Sequence, residues 1–429
     1  MAEKGHLNAT NEQIIKVLNA EPKSVFYNKL SNSDLANMQA TMDSILGVSW
    51  KRNEFTQALW QVVGWTEVHV ANFTNPLNFI KTGPMRYGGY MREIFVNMIE
   101  AMDYNVHDGA DELLKLYRNN VMAAYHPLNY RKKWPISINY DELSNAFAEP
   151  YGLQSLILGK LSVILSSVEY WEFNAIKSLL GVAYNNGLLY PVTVVNPTDS
   201  DTSRALLKTI RSVTRKVYFP EPAYNFAGAQ SSSKREDLFL LVTPEVEATL
   251  DVDALAVLFH VERAEVQTRI VVIDKFENPN IVAMLVDRRY IIFKEQLSEM
   301  GDFRNPDTLT TTFFYHRWEM LELSPFFTCV AFTTEKVSVA SITIQDNLNF
   351  IPGQELNIKV EVEGEADSYI PQNVSLRITS PVTSPDTIIV PGTFTLIVGT
   401  DETAENISVE ASSLYNPTIT ATASITKSV

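Results

Sequence analysis

A single cysteine, Cys329, among 429 residues leaves this chain without an internal disulfide and without the thiol pair that a zinc site needs. It lies in Phe326-Phe327-Thr328-Cys329-Val330-Ala331-Phe332, an apolar setting that suits a small buried hydrophobe better than a nucleophile. Long hydrophobic runs are missing too. The best candidate, Leu153 to Val168, is broken by Gln154, Gly159 and Lys160, so no bilayer-spanning helix is expected. Met1-Ala2-Glu3-Lys4-Gly5-His6 has neither the basic nor the apolar region of a secretion signal, and a reducing compartment is the expected place of synthesis. Positive charge is scarce: 35 Lys and Arg face 50 Asp and Glu, a net charge of −15. That balance argues against a sequence-independent nucleic-acid binder, which needs clustered cations; any DNA contact is expected to be local and weak.

Recognisable catalytic patterns are lacking as well. Gly83-Pro84-Met85-Arg86-Tyr87-Gly88 has the outer spacing of a phosphate-binding loop, but Gly89-Tyr90 stand where Lys and Ser or Thr must be. There is no paired-His zinc-protease helix and no nucleophile elbow, and the six His are scattered. His316 and Glu319 in Tyr315-His316-Arg317-Trp318-Glu319 are the most tempting acid–base pair, yet three residues apart on a strand they point to opposite faces. Asp251 and Asp253 read as helix-capping carboxylates, Asp251 ahead of a helix from Val252 to Phe259. Arg131-Lys132-Lys133 reads as a solvated face or an inter-subunit salt-bridge donor. No cofactor, metal or enzymatic activity is expected.

What is present divides at about Val337. Beyond it there is no Trp, and apolar residues recur at spacing two: Leu356, Ile358, Val360 and Val362; Val374, Leu376 and Ile378; Phe394, Leu396 and Val398; Ile407, Val409 and Ala411; Ile419, Ala421, Ala423 and Ile425. Alternation of this kind is what a strand needs when one face is buried and the other wet. Pro352-Gly353, Pro371-Gln372, Ser384-Pro385-Asp386 and Pro391-Gly392 punctuate the runs, which predicts an Ig-like sandwich of about seven strands. Lys359, Arg377 and Lys427 face eleven acidic residues in this tail, a net −8 that leaves −7 for the larger body. Such a tail should face water and repel copies of itself.

The body reads as α+β. Residues 1 to about 50 are polar and helical, an arm. A long excursion with broken extended stretches follows, and its length suggests that it reaches for another subunit. Tyr151 to Asn186 carries the strongest helical stripe, closed by Gly187 as a C-cap, and is about 50 Å long if continuous, with a break allowed near Glu169. A strand at Val192–Val195, a helix from about Thr202 with Leu206, Leu207, Ile210, Val213 and Val217 inward, and strands at Asp237–Val242, Ile270–Ile273, Ile281–Val286 and Tyr290–Phe293 predict a compact α+β unit. Thr243-Pro244-Glu245 reads as a helix start, and Thr312–Leu323 and Phe326–Phe332 as a last extended pair.

Asp237-Leu238-Phe239-Leu240-Leu241-Val242 through Glu247-Ala248-Thr249-Leu250-Asp251-Val252-Asp253-Ala254-Leu255-Ala256, then Val271-Val272-Ile273-Asp274 and Ala283-Met284-Leu285-Val286-Asp287, resembles the major capsid (head) protein of small short-tailed bacteriophages, the picovirus-type podoviruses. So does Arg304-Asn305-Pro306 followed by Phe313-Phe314-Tyr315-His316-Arg317-Trp318 and Val330-Ala331-Phe332. The resemblance runs best from Tyr151 to Thr334, and Phe219 to Glu236 depart from it. It implies a Hong Kong 97-type capsid fold with a C-terminal Ig-like domain of the bacterial group 2 type. On that mapping 1–50 is the N-terminal arm and 51–336 the capsid-fold domain, with an extended loop at about 66–140, a spine helix at about 151–186 and an axial domain at about 190–310; 337–429 is the Ig-like domain. The implied function is an icosahedral or prolate head enclosing double-stranded DNA, assembled in the host cytoplasm and located in the virion. Implied partners are further copies of the chain in pentamers and hexamers, a scaffolding protein, a portal, head fibres and non-specifically held DNA, with no membrane. The extended loop around Lys81, Arg86, Arg92 and Glu93 would make the inter-subunit contacts. Two rivals stand beside this reading: a phage tail or collar component, and a cell-surface glycan-binding adhesin with an Ig-like module. The adhesin would need an export signal and convergent carboxylates.

Overall fold

The computed structural model describes residues 73–85, 90–99, 101, 121–139, 141, 144–145, 159, 162–250, 270–308, 310–345, 348–390 and 393–428. The arm at 1–50, Arg86, the Gly88-Gly89 turn, the start of the helix expected from Tyr151 and the capping pair Asp251 and Asp253 lie outside them. In chain order the body holds strands β1 (Met91–Val96), β2 (Val121–His126) and β3 (Tyr130–Ile138), helix α1 (Ser162–Asn185), β4 (Tyr190–Thr193), α2 (Ser200–Lys216), β5 (Leu238–Val242), α3 (Pro244–Thr249), β6 (Ile270–Val272), β7 (Ile281–Asp287), β8 (Ile291–Asn305), β9 (Thr310–Leu323) and β10 (Cys329–Thr333). The fold class is α+β, as expected. The described chain forms two compact units, one drawing on Asn129–Ala175 and Glu295–Glu319, the other on Pro76–Leu128, Ile176–Lys294 and Met320–Val429.

In the first unit, β3, β9 and β8 form a sheet in the order β3-β9-β8, with β3 antiparallel to β9 from Tyr130↔Glu319 to Ile138↔Thr311. Ile164 and Val168 of α1 are buried with Tyr315, against Trp134 and Ile136. The basic run Arg131-Lys132-Lys133 is exposed along its length, as a solvated face requires. Its three cations lie over the rings of Trp318, Trp171 and Phe314 at 4.7, 5.7 and 5.3 Å from the centroids, so their stems and charges cover aromatic surface.

The second unit is built on a five-stranded sheet ordered β4-β10-β7-β5-β6. β7 and β10, like β5, are buried at every residue, which explains their continuous apolar runs. Cys329 sits in β10, 2% exposed, and burial pushes its thiol well above its ordinary pKa, as a structural cysteine requires. Helix α2 lays Leu206, Leu207, Ile210, Val213 and Val217 into the core of this sheet. It starts before Thr202, because the Asp199 side chain accepts from the Thr202 N–H at 2.8 Å while the Thr202 hydroxyl accepts from the Asp199 N–H at 3.1 Å. That reciprocal box satisfies two donors that would otherwise be orphaned at the helix start. Helix α1 shows no break at Glu169, and Gly187 follows it with φ +69°, the left-handed conformation anticipated for a C-cap.

Gly187 also admits a close neighbour. A Cβ there would meet the Ile370 carbonyl oxygen at 2.3 Å, and the Gln372 N–H donates to the Gly187 carbonyl at 2.8 Å. Tyr369 completes the contact: its hydroxyl donates to the Leu189 carbonyl at 2.9 Å, accepts from the Leu189 N–H at 3.2 Å, and its ring lies 4.5 Å from that of Tyr184. These bonds tie the C-terminal strands to the sheet domain within one compact unit.

Those C-terminal strands are β11 (Ser341–Ile344), β12 (Asn349–Phe350), β13 (Glu355–Asn357), β14 (Val360–Glu363), β15 (Val374–Ile378), β16 (Ile388–Ile389), β17 (Thr395–Ile397), β18 (Asn406–Ser413) and β19 (Thr420–Lys427). They form sheets β11-β14, β12-β19-β18-β15 and β13-β17-β16 around one core that includes Phe350, Ile358, Leu396, Ile407 and Val409. β18 alternates strictly, as its sequence requires. The run from Leu356 to Val362 behaves differently. It splits at Ile358, whose N–H donates to the Phe394 carbonyl, so β13 pairs with β17 and β14 with β11. Nine strands therefore appear among the described residues where about seven were expected, and one of the extra strands arises because one alternating run serves two sheets.

Candidate functional site

A hairpin ladder formed by β1 and β2 carries the surface of interest. The two strands pair antiparallel from Met91↔His126 through Glu93↔Ala124 to Val96↔Val121. Because side chains alternate along a strand, Met91, Glu93 and Phe95 share one face with Met122, Ala124 and His126, while Arg92, Ile94 and Val96 share the other with Val121, Ala123 and Tyr125. The first face is anchored. Phe95 stacks on Phe326 at 5.7 Å, and both lie in a cluster with Met122 and Ala229. Beside it His126, 3% exposed, is held between two carboxylates, with Nε2 3.1 Å from Glu93 and Nδ1 3.0 Å from Glu322. Ser324 donates to both oxygens of Glu93, at 2.9 and 2.8 Å.

The second face is apolar and open. Ile94 and Val96 are each 52% exposed and Tyr125 57%, with Val121 also exposed. Met98 and Ile99, just past β1, extend the patch. A two-stranded ribbon is marginal in water on its own, and this one is secured on one face only. Contiguous exposed apolar side chains on a rigid, anchored ribbon are the mark of a surface that another molecule covers.

Of the residues singled out from sequence, Arg92 lies on the open face with its guanidinium 5.7 Å from the Tyr125 ring centroid. Glu93 is on the anchored face, bonded to His126 and Ser324. Lys81 is half-buried with its ammonium 5.0 Å from the Phe293 ring centroid. Arg86 lies outside the described residues. The structure thus brings Arg92 and Glu93 to one hairpin and opposite faces. Sequence reading passed over Ile94, Val96, Val121 and Tyr125. The signal was Ile94-Phe95-Val96: three apolar residues in succession put apolar side chains on both faces of a ribbon that has only one face to bury.

His126 makes the anchor pH-dependent. Burial alone would push its pKa down, but the hydrogen bonds and charges of Glu93 and Glu322 more than offset that, and the pKa is raised from 6.5. A raised pKa means that the contribution is complete below about 6.5 and fades as pH climbs through the folded value. We expect hydrogen exchange of peptides covering 91–99 and 121–126 to speed up between pH 6 and pH 9 in the wild type, beyond the intrinsic base-catalysed increase. His126→Gln should remove that extra pH dependence; an unchanged profile would show that the imidazole does not hold the ribbon.

Elsewhere, the His316–Glu319 pair does not form. Glu319 turns instead to Arg317, which reaches Glu172, Glu295 and Glu319 at 3.0, 2.9 and 2.8 Å. Burial, reinforced by the charge of Glu172 and its hydrogen bond, pushes the Glu319 carboxyl up to about 7 against the pull of Arg317. The cluster is nearly closed to solvent, Glu172 and Glu319 being 0% and 1% exposed, which marks it as structural. Among the described residues no group of three or more His, Cys, Asp or Glu is placed to hold a metal ion. No described helix is long and apolar enough to cross a membrane.

An anchored hairpin with an uncovered apolar face fits a protein that works by touching others. Comparison with known proteins agrees. The chain is 27% identical over 301 residues to the major capsid protein of Bacillus phage PZA, covering 69% of this chain and 67% of that one. It is 27% identical over 324 residues to that of Bacillus phage B103, covering 74% and 72%. The capsid structure of Staphylococcus phage Andhra has a similar fold, with a TM-score of 0.51 at 14% identity over 62% of this chain and 86% of that chain. The model of the Phi29-like phage major capsid protein family matches residues 14–333, three quarters of the chain, and to that family this chain belongs.

Proposed function

We propose that this major capsid protein builds a closed phage head from many copies of itself, and that the open face of the β1–β2 ribbon is one of the surfaces by which neighbouring copies join. The observation that carries the reading is the pairing of opposites on one hairpin: a face locked to its own chain through Phe95, His126 and Glu93, and a face of Ile94, Val96, Val121 and Tyr125 left to water. Covering such side chains releases about 25 cal/mol per Å² of apolar surface. Repeated around symmetry axes, contacts that are individually modest give a cooperative shell that can still correct errors during closure. The architecture that goes with this function is a Hong Kong 97-type fold: arm at 1–50, extended loop at about 66–140 around Lys81, Arg86, Arg92 and Glu93, spine helix at about 151–186, axial domain at about 190–310, and an Ig-like domain at 337–429. Support for the last is the common core of the three C-terminal sheets, which lie beyond the family match ending at residue 333. In this reading the chain makes and breaks no bond. Its home is the virion, it is assembled in the host cytoplasm, and its partners are other copies, a scaffolding protein, a portal, head fibres and the enclosed double-stranded DNA.

The test is electron microscopy of the full chain, alone and with a co-expressed scaffolding candidate, beside the double variant Ile94→Glu with Tyr125→Glu. Closed shells from the wild type and dispersed, normally folded protein from the variant are the expected pair of results. Shells of equal yield from the variant would remove the ribbon face from the interface. Rings or tubes from the wild type under every condition would favour a tail or collar component.

A further inference from the structure

Helix α2 has a second face. Opposite its buried stripe stand Arg204, Lys208, Arg211, Arg215 and Lys216, all exposed. Arg204, Lys208, Arg211 and Arg215 fall at the spacing that stacks side chains along one side of a helix, a row about 16 Å long. None of these five cations has a carboxylate partner within the described structure, although the chain as a whole carries a net −15. Lys208, Arg211, Ser212, Arg215, Lys216 and Phe219 wall an open groove of about 620 Å³ beside the helix. Phe219, 65% exposed, adds an aromatic side chain to its lining.

The needs of the helix itself account for only part of this. Arg215 and Lys216 complement the negative end of the helix dipole. Arg204, Lys208 and Arg211 lie beyond the first turn and before the last, where the dipole does nothing for them. Four like charges in one row, with Lys216 beside them, repel one another unless something anionic lies along them. The row is straight, Arg-rich and open along its length. It therefore suits an extended polyanion whose oxygens recur at regular intervals, to which guanidinium forks can bond in pairs.

We propose that the exposed face of α2 is a phosphate-backbone surface for double-stranded DNA, a local cationic site on a shell protein of net negative charge. The proposal deepens the head-building reading and rests on it only for the identity of the polyanion. Contacts of this kind carry no sequence preference and give way to salt, each neutralised phosphate adding about 0.9 to the slope of log affinity against log salt.

The experiment measures binding of the full chain to a fluorescent 30-base-pair duplex between 50 and 200 mM salt, with poly-glutamate as competitor. The variants are K208Q/R211Q/R215Q/K216Q and the charge-preserving R211K/R215K. The expected result is that the neutralised variant loses at least tenfold in affinity and about 3 to 4 in salt slope, while R211K/R215K, which keeps the charge and gives up only the paired forks, keeps the slope and loses less affinity, and unchanged thermal unfolding excludes misfolding. Equal affinity and slope in wild type and neutralised variant would overturn the proposal. So would poly-glutamate displacing the duplex at equimolar charge, which would assign the groove to an acidic polypeptide such as the tail of a neighbouring copy. Electron microscopy of the same proteins separates the two readings. If neither wild type nor variant closes shells, head building fails while a loss of DNA affinity still supports the surface; if only the variant fails to close and its DNA binding is intact, the row is a subunit contact and the proposal falls.

Discussion

Replacing Arg317 by Ala should destabilise the first compact unit by roughly 3 to 5 kcal/mol at pH 8, the cost of leaving buried carboxylates without their cation. Glu172 and Glu319 are shut off from water, and the guanidinium that reaches both also bonds the Tyr315 hydroxyl at 3.1 Å. One cation facing Glu172, Glu295 and Glu319 cannot neutralise all three, and the buried pair responds by keeping a proton to about neutral pH, Glu319 being pushed up to about 7. The sign follows from linkage. A carboxyl whose folded pKa lies above its unfolded value stabilises the fold below about pH 4.5, and that contribution drains away as pH rises toward 7. The variant should therefore be hurt far more at pH 8 than at pH 5, where protonation replaces the lost cation. Urea unfolding followed by Trp fluorescence at the two pH values reads this directly, because Trp134, Trp171 and Trp318 belong to the same unit. A cost that is equal at both, or below about 1 kcal/mol, would mean that water reaches the carboxylates when Arg317 is removed.

This cluster also shows where sequence reading stops. Arg317 and Glu319 are two apart on β9 and so share a face, which is legible; Glu172 arrives from α1, 145 residues from Arg317, and nothing local announces it. The same division runs through the fold. The inward stripe of α2, the buried run of β7, the left-handed turn at Gly187 and the alternation of β18 are set by periods and caps within a few residues, and each appears where the pattern puts it. β8 extends to Asn305, well past the expected end at Phe293, because only its first three residues are buried and the rest carry no apolar pattern to read. β2 went unread for a related reason: its partner β1 lies beyond an intervening segment, so the pairing that sorts Ile94 from Phe95 is tertiary information. The basic row of α2 was legible in principle, since it has the same period as the inward stripe on the opposite side. Charge counted over the whole chain conceals it, because a net −15 averages over local faces of the opposite sign.

Among the C-terminal strands the largest single loss should come from Glu402→Ala, at about 3 kcal/mol, since its buried carboxylate gathers five donors from two loop segments. Glu402 is 2% exposed and accepts from the N–H groups of Thr383, Ser384 and Ala404 at 3.0, 3.2 and 3.0 Å. It also accepts from the hydroxyls of Thr383 and Thr387, the latter at 2.6 Å. Burial would raise its pKa, but these donors outweigh it and hold the carboxyl down to about 2. A depressed pKa gives stability that is complete above about 4.5 and is lost as pH falls through 2. The neutral amide of Glu402→Gln keeps the shape, loses part of the acceptor capacity and has no proton to take up. Hydrogen exchange of peptides spanning 380–405 should therefore accelerate in both variants at pH 7. In the wild type alone, protection should fall as pH drops from 4 to 2, apart from the intrinsic change in exchange rate. If Glu402→Gln lost protection over that range in parallel with the wild type, the acid response would belong to another group, and the loop would owe its order to the Phe350, Leu396 and Ile407 core rather than to this carboxylate.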